Sequence, residues 1–335
     1  MAYIKINKNN FFNNLDYFSN LIKSKDKISI ALKDNAYGHG IDEIASLSSE
    51  YGIKHVFVKN LREAKIVEKY NFESIQILYE IPTILTNFVI SINSMEDFNK
   101  IPKNSRIELK LDTGMHRNGI QSHEIENALN IVKMKNLILK GIFSHFCCAD
   151  ENNNITEQQE ELFLKLSKII KKMYNKKFNI HIANTAGCHK VDNSAYDKVR
   201  IGIGAYGYLK MKNIKHNLKP VLSLYANRLS TRVLDKDEHI GYGSKSYLSP
   251  SNNFKVSNYD IGYGDGFLRL DNNQKYILPN DREVLGRVSM DSFSLEGDCE
   301  TVCIFEDASN LATIHKTIEY EILSQLSPFL KRVII

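Results

Sequence analysis

Nowhere does this 335-residue sequence stay apolar for the roughly 18–20 residues that a bilayer-spanning helix needs. Its opening stretch, Met1 to Asn10, has no apolar core leading to a small-residue cleavage site, so no secretory leader is expected. Cysteine is scarce. There are five, an odd number with Cys147 and Cys148 adjacent, which fits no disulfide framework and points to the cytoplasm. The net charge of +5 is small, and the basic residues are scattered among asparagines without interleaved aromatics. That pattern argues against a nucleic-acid partner. No internal repeat or low-complexity segment stands out beyond the Asn/Lys bias. What remains is ordinary globular material, 43% hydrophobic and 25% charged, long enough for one large domain or two.

The most informative stretch is Ile28 to Gly40. Ile28, Ile30, Ala31 and Leu32 form a short apolar run of the kind buried on both faces of a parallel sheet. Lys33 ends it. Asn35, Tyr37, Gly38, His39 and Gly40 are too polar and too glycine-rich to continue the strand. A helical pattern follows from Ile41. A lysine at the carboxyl end of a first core strand sits where α/β folds place their chemistry. Beside it lie a phenol and a Gly-His-Gly turn whose backbone N–H groups suit a phosphate held next to an amine. The residues point to a Schiff-base lysine carrying pyridoxal phosphate.

Tyr3–Ile6 reads as a short strand and 9–22 as a helix. Strand patterns then recur at His55–Val58, 75–79, 88–91, 106–111, 137–143, 178–183 and 198–201. Helical patterns at 61–70, 94–101, 123–133 and 157–174 fall between most of them. With Ile28–Leu32 that makes eight strands, and eight β-then-α units in about 200 residues predict a (β/α)8 barrel. After Lys219-Pro220 the character changes. Stretches 221–231, 257–262, 275–278, 283–290 and Thr301–Phe305 read as strands, separated by turns such as Asn272-Asn273, and helical pattern returns only at 311–324. The expectation is a barrel over 1–218 followed by a mostly β domain over 219–335.

The polar residues at the expected strand ends form a set. The fifth strand runs into Lys110-Leu111-Asp112-Thr113-Gly114-Met115-His116-Arg117, and the sixth into Ser144-His145-Phe146. The seventh ends in Asn184-Thr185, and the eighth in Arg200-Ile201-Gly202-Ile203. The β region adds Gly241-Tyr242-Gly243-Ser244, Gly262-Tyr263-Gly264-Asp265 and Gly286-Arg287-Val288-Ser289-Met290-Asp291. Ala31-Leu32-Lys33-Asp34-Asn35-Ala36-Tyr37-Gly38-His39-Gly40 resembles the lysine motif of alanine racemases, usually A-x-x-K-A-N-A-Y-G-H-G, with Asp34 replacing a common alanine. The other segments resemble that family's motifs in the same order as far as Tyr320, with Ile201 in place of a usual proline.

The resemblance implies a pyridoxal 5'-phosphate-dependent enzyme that interconverts L- and D-alanine by two bases and supplies D-alanine for the cell wall. Lys33 and Tyr242 would be the two bases. Arg200 would face the pyridine nitrogen, buttressed by His145. Tyr37, Asn184, Thr185, Gly202, Ile203 and Tyr320 would hold the cofactor, chiefly its phosphate. Arg117, Tyr263, Met290 and Asp291 would meet the substrate. Lys110 matches a lysine that in some relatives is carbamylated. No metal is called for. The resemblance also implies a homodimer with shared sites, and the short join at Lys219-Pro220 leaves no flexible linker to fold the β domain over its own barrel. Three other readings are weighed. One is a barrel decarboxylase of basic amino acids, which would put a glutamate where Arg200 stands. Another is a pyridoxal-phosphate carrier without turnover, which would resemble the barrel alone, without the added domain and Tyr242. The third is an oxidoreductase, because Gly202-Ile203-Gly204-Ala205-Tyr206-Gly207 satisfies G-x-G-x-x-G.

Overall fold

The computed structural model describes residues 1–211, 213–243, 247–270 and 274–335. The Ser244 end of the Tyr242 segment and the turn expected at Asn272-Asn273 lie outside them. The chain divides into two compact units. One comprises Phe11–Asp34 and Ile44–Lys219, and the other Met1–Asn10, Asn35–Glu43 and Pro220–Ile335.

The first unit is built on an eight-stranded parallel sheet. Its strands are Ile28–Ala31, His55–Val58, Ser74–Ile77, Val89–Ile92, Arg106–Lys110, Ile138–Phe143, Asn179–His181 and Val199–Ile201. The first of these pairs with the last, Ile28 opposite Val199. Backbone hydrogen bonds from Asp197 N–H to the Ile180 carbonyl and from Arg200 N–H to the Ala183 carbonyl, 3.0 Å each, close the ring. Helices cover it, among them Ile41–Tyr51, Ile125–Met134 and the long Ile155–Met173. The near-continuous apolar strands explain the burial, since a parallel sheet covered by crossovers offers neither face to water. Val89–Ile92 is buried at all four positions. The helix expected over 94–101 shortens to Asp97–Lys100, where the Asp97 carboxylate accepts from the N–H groups of Asn93 and Ser94 and fixes the entry to the turn.

The second unit is mostly β. Its sheet runs in the order Phe293–Glu296, Phe254–Tyr259, Leu222–Leu234, Tyr3–Ile6, Lys331–Ile334, with Thr301–Phe305 also pairing to the 13-residue central strand. The first strand of the chain thus joins the last. Three expectations are corrected here. The stretches 275–278 and 283–290 are not strands, and within them only Ile277, Glu283 and Leu285 form isolated bridges. The pattern over 283–290 is apolar enough for a strand, but Gly286 at φ +67° turns the backbone. The helical pattern over 311–324 is two helices, Ser309–Ile314 and Glu319–Ser324, separated where Lys316 enters the left-handed region at φ +53°.

Between Lys33 and Tyr37 the backbone makes a helical turn of unusual hand. Asp34, Asn35, Ala36 and Tyr37 all have φ between +52° and +55°. Left-handed backbone costs an L-residue about 1–2 kcal/mol and is borne best by Asp and Asn, which gives Asp34 a local advantage over alanine. Hydrogen bonds hold the turn in place. Ile41 N–H donates to Asn35 Oδ1 at 2.9 Å, His39 Nδ1–H to the Tyr37 carbonyl at 3.0 Å, and Arg332 Nη2 to the Gly38 carbonyl at 2.9 Å. Gly38, at φ +80°, has no room for a side chain, because a Cβ there would stand 1.9 Å from the Leu323 carbonyl oxygen. Burial pushes the His39 imidazole down to about 3, so it stays neutral at physiological pH.

Candidate active site

In the first unit the sequence-predicted residues gather at the carboxyl ends of the parallel strands. Lys33 stands two residues past the strand Ile28–Ala31, with its side chain 29% exposed and Nζ 3.0 Å from Asp34 Oδ2. The other oxygen of Asp34 meets Lys59 Nζ at 2.6 Å. Lys110 ends its strand and is buried. Beyond it the chain forms a loop closed by pairing of Leu111 with Ile120, inside which Asp112 Oδ1 accepts from the N–H groups of Gly114 and His116, 3.1 Å each. Arg117 projects exposed from that loop. Thr113 and Ser144 hydroxyls meet at 2.7 Å and tie the loop to the next strand end.

Arg200 is the most heavily anchored side chain of the set. Nη1 donates to His181 Nδ1 at 2.6 Å. Nη2 donates to the carbonyls of Ser144 at 2.5 Å and Ile182 at 2.9 Å, and to His145 Nδ1 at 3.2 Å. These bonds use only the two terminal nitrogens. Burial pulls the guanidinium down to about 10, which leaves it protonated at neutral pH. His145 is driven well below its usual value by burial, then by the positive charges of Arg200, Arg117, Lys110 and Lys33, so it is a neutral acceptor for Arg200. Lys110 falls to about 8, first through burial and then through Arg117 and Arg200. Four cationic side chains from three strand ends therefore share one field. Nearby, Gly202 N–H at 3.1 Å and Gly204 N–H at 3.4 Å converge on Thr185 Oγ1, while Asn184 Oδ1 accepts from Gly187 N–H at 2.8 Å and shapes the preceding turn. Ile203 is buried and opens the 3-10 turn that follows. Such a set offers a primary amine, cations for several anionic groups and a hydroxyl, that of Thr185, whose oxygen is held by two backbone N–H groups.

In the second unit the rings of Tyr37 and Tyr320 meet edge-on, centroids 5.8 Å apart. Tyr263 N–H donates to the Ser289 carbonyl at 3.0 Å and Gly264 N–H to the Met290 carbonyl at 2.9 Å, which brings Tyr263, Met290 and Asp291 into one paired turn. Tyr242 lies on a separate turn beside Arg287, since a Cβ on Gly243 would be 3.6 Å from Arg287 Nη1. Tyr242, Tyr263 and Met290 are exposed by 62, 41 and 56%.

Sequence reasoning missed three residues. Glu108, His181 and Lys198 lie inside the ring of strands, fully or almost fully buried. Glu108 Oε2 meets His181 Nε2 at 2.7 Å and Oε1 meets Lys198 Nζ at 3.2 Å. Burial pushes the Glu108 carboxyl up, but Lys198 and His181 outweigh it and hold it below the usual carboxylate range. The available signal was a charged residue on every second position of Arg106-Ile107-Glu108-Leu109-Lys110, which reads equally well as a solvated face.

The G-x-G-x-x-G match loses its meaning in this setting. Gly202 to Gly207 is a single short 3-10 turn, and the next strand, Leu222–Leu234, belongs to the antiparallel sheet. A dinucleotide fingerprint needs a helix and a second parallel strand.

An eight-stranded parallel barrel with an amine and a cluster of cations at its strand ends, joined to a β unit, defines a β/α-barrel enzyme class with an anion-attracting site at the strand ends. Residues 6–210 match the family described as "Alanine racemase, N-terminal domain", and residues 221–334 match "Alanine racemase, C-terminal domain". An alanine racemase of Campylobacter curvus is 40% identical over 99% of this chain and 99% of its own length, and one of Campylobacter jejuni is 38% identical over 100% of both. Among solved structures, the alanine racemase of Clostridium difficile superposes with a TM-score of 0.90 at 25% identity, covering 100% of this chain and 95% of its own. The alanine racemase of Bacillus anthracis with bound L-Ala-P gives 0.87 at 25%, again covering 100% and 95%. The chain belongs to the alanine racemase family. No helix among the described residues is long and apolar enough to cross a membrane.

Proposed function

We propose that this protein is a cytoplasmic, pyridoxal 5'-phosphate-dependent racemase that interconverts L- and D-alanine and supplies D-alanine for cell-wall synthesis. The observation that carries the reading is the grouping of Lys33, Lys110, Arg117 and Arg200 around the neutral His145, with the Thr185, Gly202 and Gly204 donors close by. That donor set fits the cofactor. The amine suits its aldehyde, the Thr185 hydroxyl, its oxygen held by the Gly202 and Gly204 N–H groups, suits its phosphate as a donor, and the engaged terminal nitrogens of Arg200 leave Nε–H to approach a ring nitrogen.

When bound, pyridoxal phosphate supplies an electron sink that acidifies the Cα–H of an attached amino acid. Lys33 would hold it by its aldehyde and would exchange the proton on the D face of the substrate Cα. Tyr242 exchanges the proton on the L face, because one fixed group cannot reach both sides of the same carbon. Arg200 has only hydrogens to offer, so it would meet the pyridine nitrogen as a donor, which would keep that nitrogen unprotonated and moderate the sink. Tyr37, Tyr320, Thr185 and the Gly202-Ile203 backbone take the phosphate, and Asn184 shapes the turn that carries Thr185. Arg117, positioned beside Lys110, receives the substrate carboxylate together with the Met290-Asp291 segment, and Tyr263 guards the approach. Carbamylation of Lys110, whose pKa is already depressed to about 8, would turn a repelling neighbour of Arg117 into an attracting one.

The protein acts as a homodimer with shared sites, each taking Lys33 from one chain and Tyr242 of the partner subunit. The exposure of Tyr242, Tyr263 and Met290 supports this, since such side chains cluster where a surface awaits a partner. The cofactor is tested by the absorbance of the protein reconstituted with pyridoxal phosphate. A visible band that borohydride abolishes, with the reduced cofactor recovered on the Lys33 peptide, is expected. A protein that added pyridoxal phosphate leaves colourless would contradict the reading.

A further inference from the structure

Inside the barrel, Glu108, His181 and Arg200 come from three different strands of the ring and form an unbroken chain of contacts. The links are Glu108 Oε2 to His181 Nε2 at 2.7 Å and His181 Nδ1 to Arg200 Nη1 at 2.6 Å. All three are buried, and Lys198 closes the back of the chain on Glu108 Oε1 at 3.2 Å. Several features hold the geometry. The His181 ring stacks on Phe143, centroids 5.2 Å apart and 5° from parallel. The Arg200 guanidinium lies over the same Phe143 ring at 5.4 Å. The strand between those of Glu108 and His181 presents Gly141, where a Cβ would come within 2.9 Å of Glu108 Oε1. Only a glycine there leaves the carboxylate room to cross.

The chemistry of this chain runs one way. A guanidinium can only donate, so His181 Nδ1 must be the accepting nitrogen. A neutral imidazole has one acceptor and one N–H, so Nε2 must carry the proton and donate a hydrogen bond to Glu108 Oε2. That demands a carboxylate with no proton of its own, which the Lys198 ammonium secures. With the opposite tautomer, Nδ1–H would face an Arg200 N–H at 2.6 Å, and the arginine would have to move.

We infer that Glu108 is a positioning residue of the racemisation site, which fixes His181 as its Nε2–H tautomer so that Nδ1 orients Arg200. The inference rests on the reading of Arg200 as the partner of the pyridine nitrogen only for its consequence, since the tautomer is a property of the protein itself. A carboxylate that merely neutralised Lys198 would leave His181 indifferent to its loss.

The experiment uses the full-length protein with 15N-labelled histidine. Two-bond correlations between the ring nitrogens and the carbon-bound ring hydrogens assign the protonated nitrogen of each ring, and the His181 signal is identified by its disappearance in His181→Asn. In the native protein His181 is expected as the neutral Nε2–H form. Glu108→Gln can turn its amide N–H toward Nε2 and is expected to move the proton to Nδ1. In the same variant reconstituted with pyridoxal phosphate, kcat is expected to fall roughly 10–100-fold with KM little changed, the size of loss seen when orienting partners are removed. The His181→Asn variant, by contrast, offers Arg200 an amide oxygen that needs no tautomer to be fixed. Adding Glu108→Gln to His181→Asn should therefore cost little further, a non-additivity that marks action through one chain. A native His181 protonated at Nδ1, or at both nitrogens, overturns the inference, and that readout stands even if Glu108→Gln fails to fold. So does a Glu108→Gln penalty of equal size in both backgrounds. Absence of cofactor uptake by the native protein would instead count against the functional reading and leave the tautomer to be judged by itself.

Discussion

Replacing Lys33 with alanine is expected to abolish racemisation, by about 10⁴-fold or more, and to remove covalent attachment of the cofactor in the same step. Both effects have one origin. In the proposed mechanism the side chain that would anchor the cofactor would also exchange the D-face proton, and a positioned acid–base group alone is worth about 10²–10⁴-fold. The substitution should leave the fold intact, since Lys33 is partly exposed and its ion pair with Asp34 is a partly solvated one of small net worth. Circular dichroism and a thermal melt check that point, while absorbance and chiral analysis of alanine read the two losses. If Lys33→Ala keeps both colour and turnover, another amine serves and the assignment falls.

Tyr242→Phe separates the two faces. The variant should bind the cofactor normally and keep its stability, because Tyr242 is 62% exposed and surface substitutions seldom cost more than about 0.5 kcal/mol. Racemisation should drop about 10²–10⁴-fold in both directions, since each direction needs both faces. Exchange with solvent should split, however. The α-proton of D-alanine should still exchange through Lys33, while that of L-alanine should not. Undiminished exchange from L-alanine would remove the phenol from the mechanism. The same two variants test the shared site. Lys33→Ala and Tyr242→Phe, each inactive, are mixed, dissociated and reassociated. Half of randomly formed dimers are mixed, and each of those holds one intact site, so roughly a quarter of native activity should return. No recovery from subunits that demonstrably exchange would place the whole site within one chain.

What could be read from the sequence, and what could not, follows from how far each signal depends on distant residues. The barrel was legible because each strand is a short apolar run between helical patterns, and those are local features. Lys33, Arg117, His145 and Arg200 were legible for a related reason. They stand at the ends of such runs, where α/β folds put their chemistry, and the family motifs match there. The left-handed turn after Lys33 was not legible as such, because its hand is held by groups remote in sequence, Arg332 and the Leu323 carbonyl that excludes a side chain at Gly38. Nor was the membership of Tyr3–Ile6 in the second sheet, where it pairs with strands more than 200 residues away. Glu108, His181 and Lys198 were hidden by ambiguity. A charged residue in a strand is normally a solvated one, and only the closing of the ring turns that face inward against a matching partner. The helix expected over 311–324 broke at Lys316, a residue whose type carries no stop signal.

The most direct test of the whole account is incubation of the protein, loaded with pyridoxal phosphate, with L-alanine in deuterated water. The enantiomers have equal free energies, so the reaction should run to an equal mixture of L- and D-alanine. The D-alanine formed first should carry deuterium at Cα, because the proton removed on one face is replaced from a solvent-exchanged group on the other. Recovery of L-alanine unchanged, or its loss with release of carbon dioxide and an amine, would contradict the account.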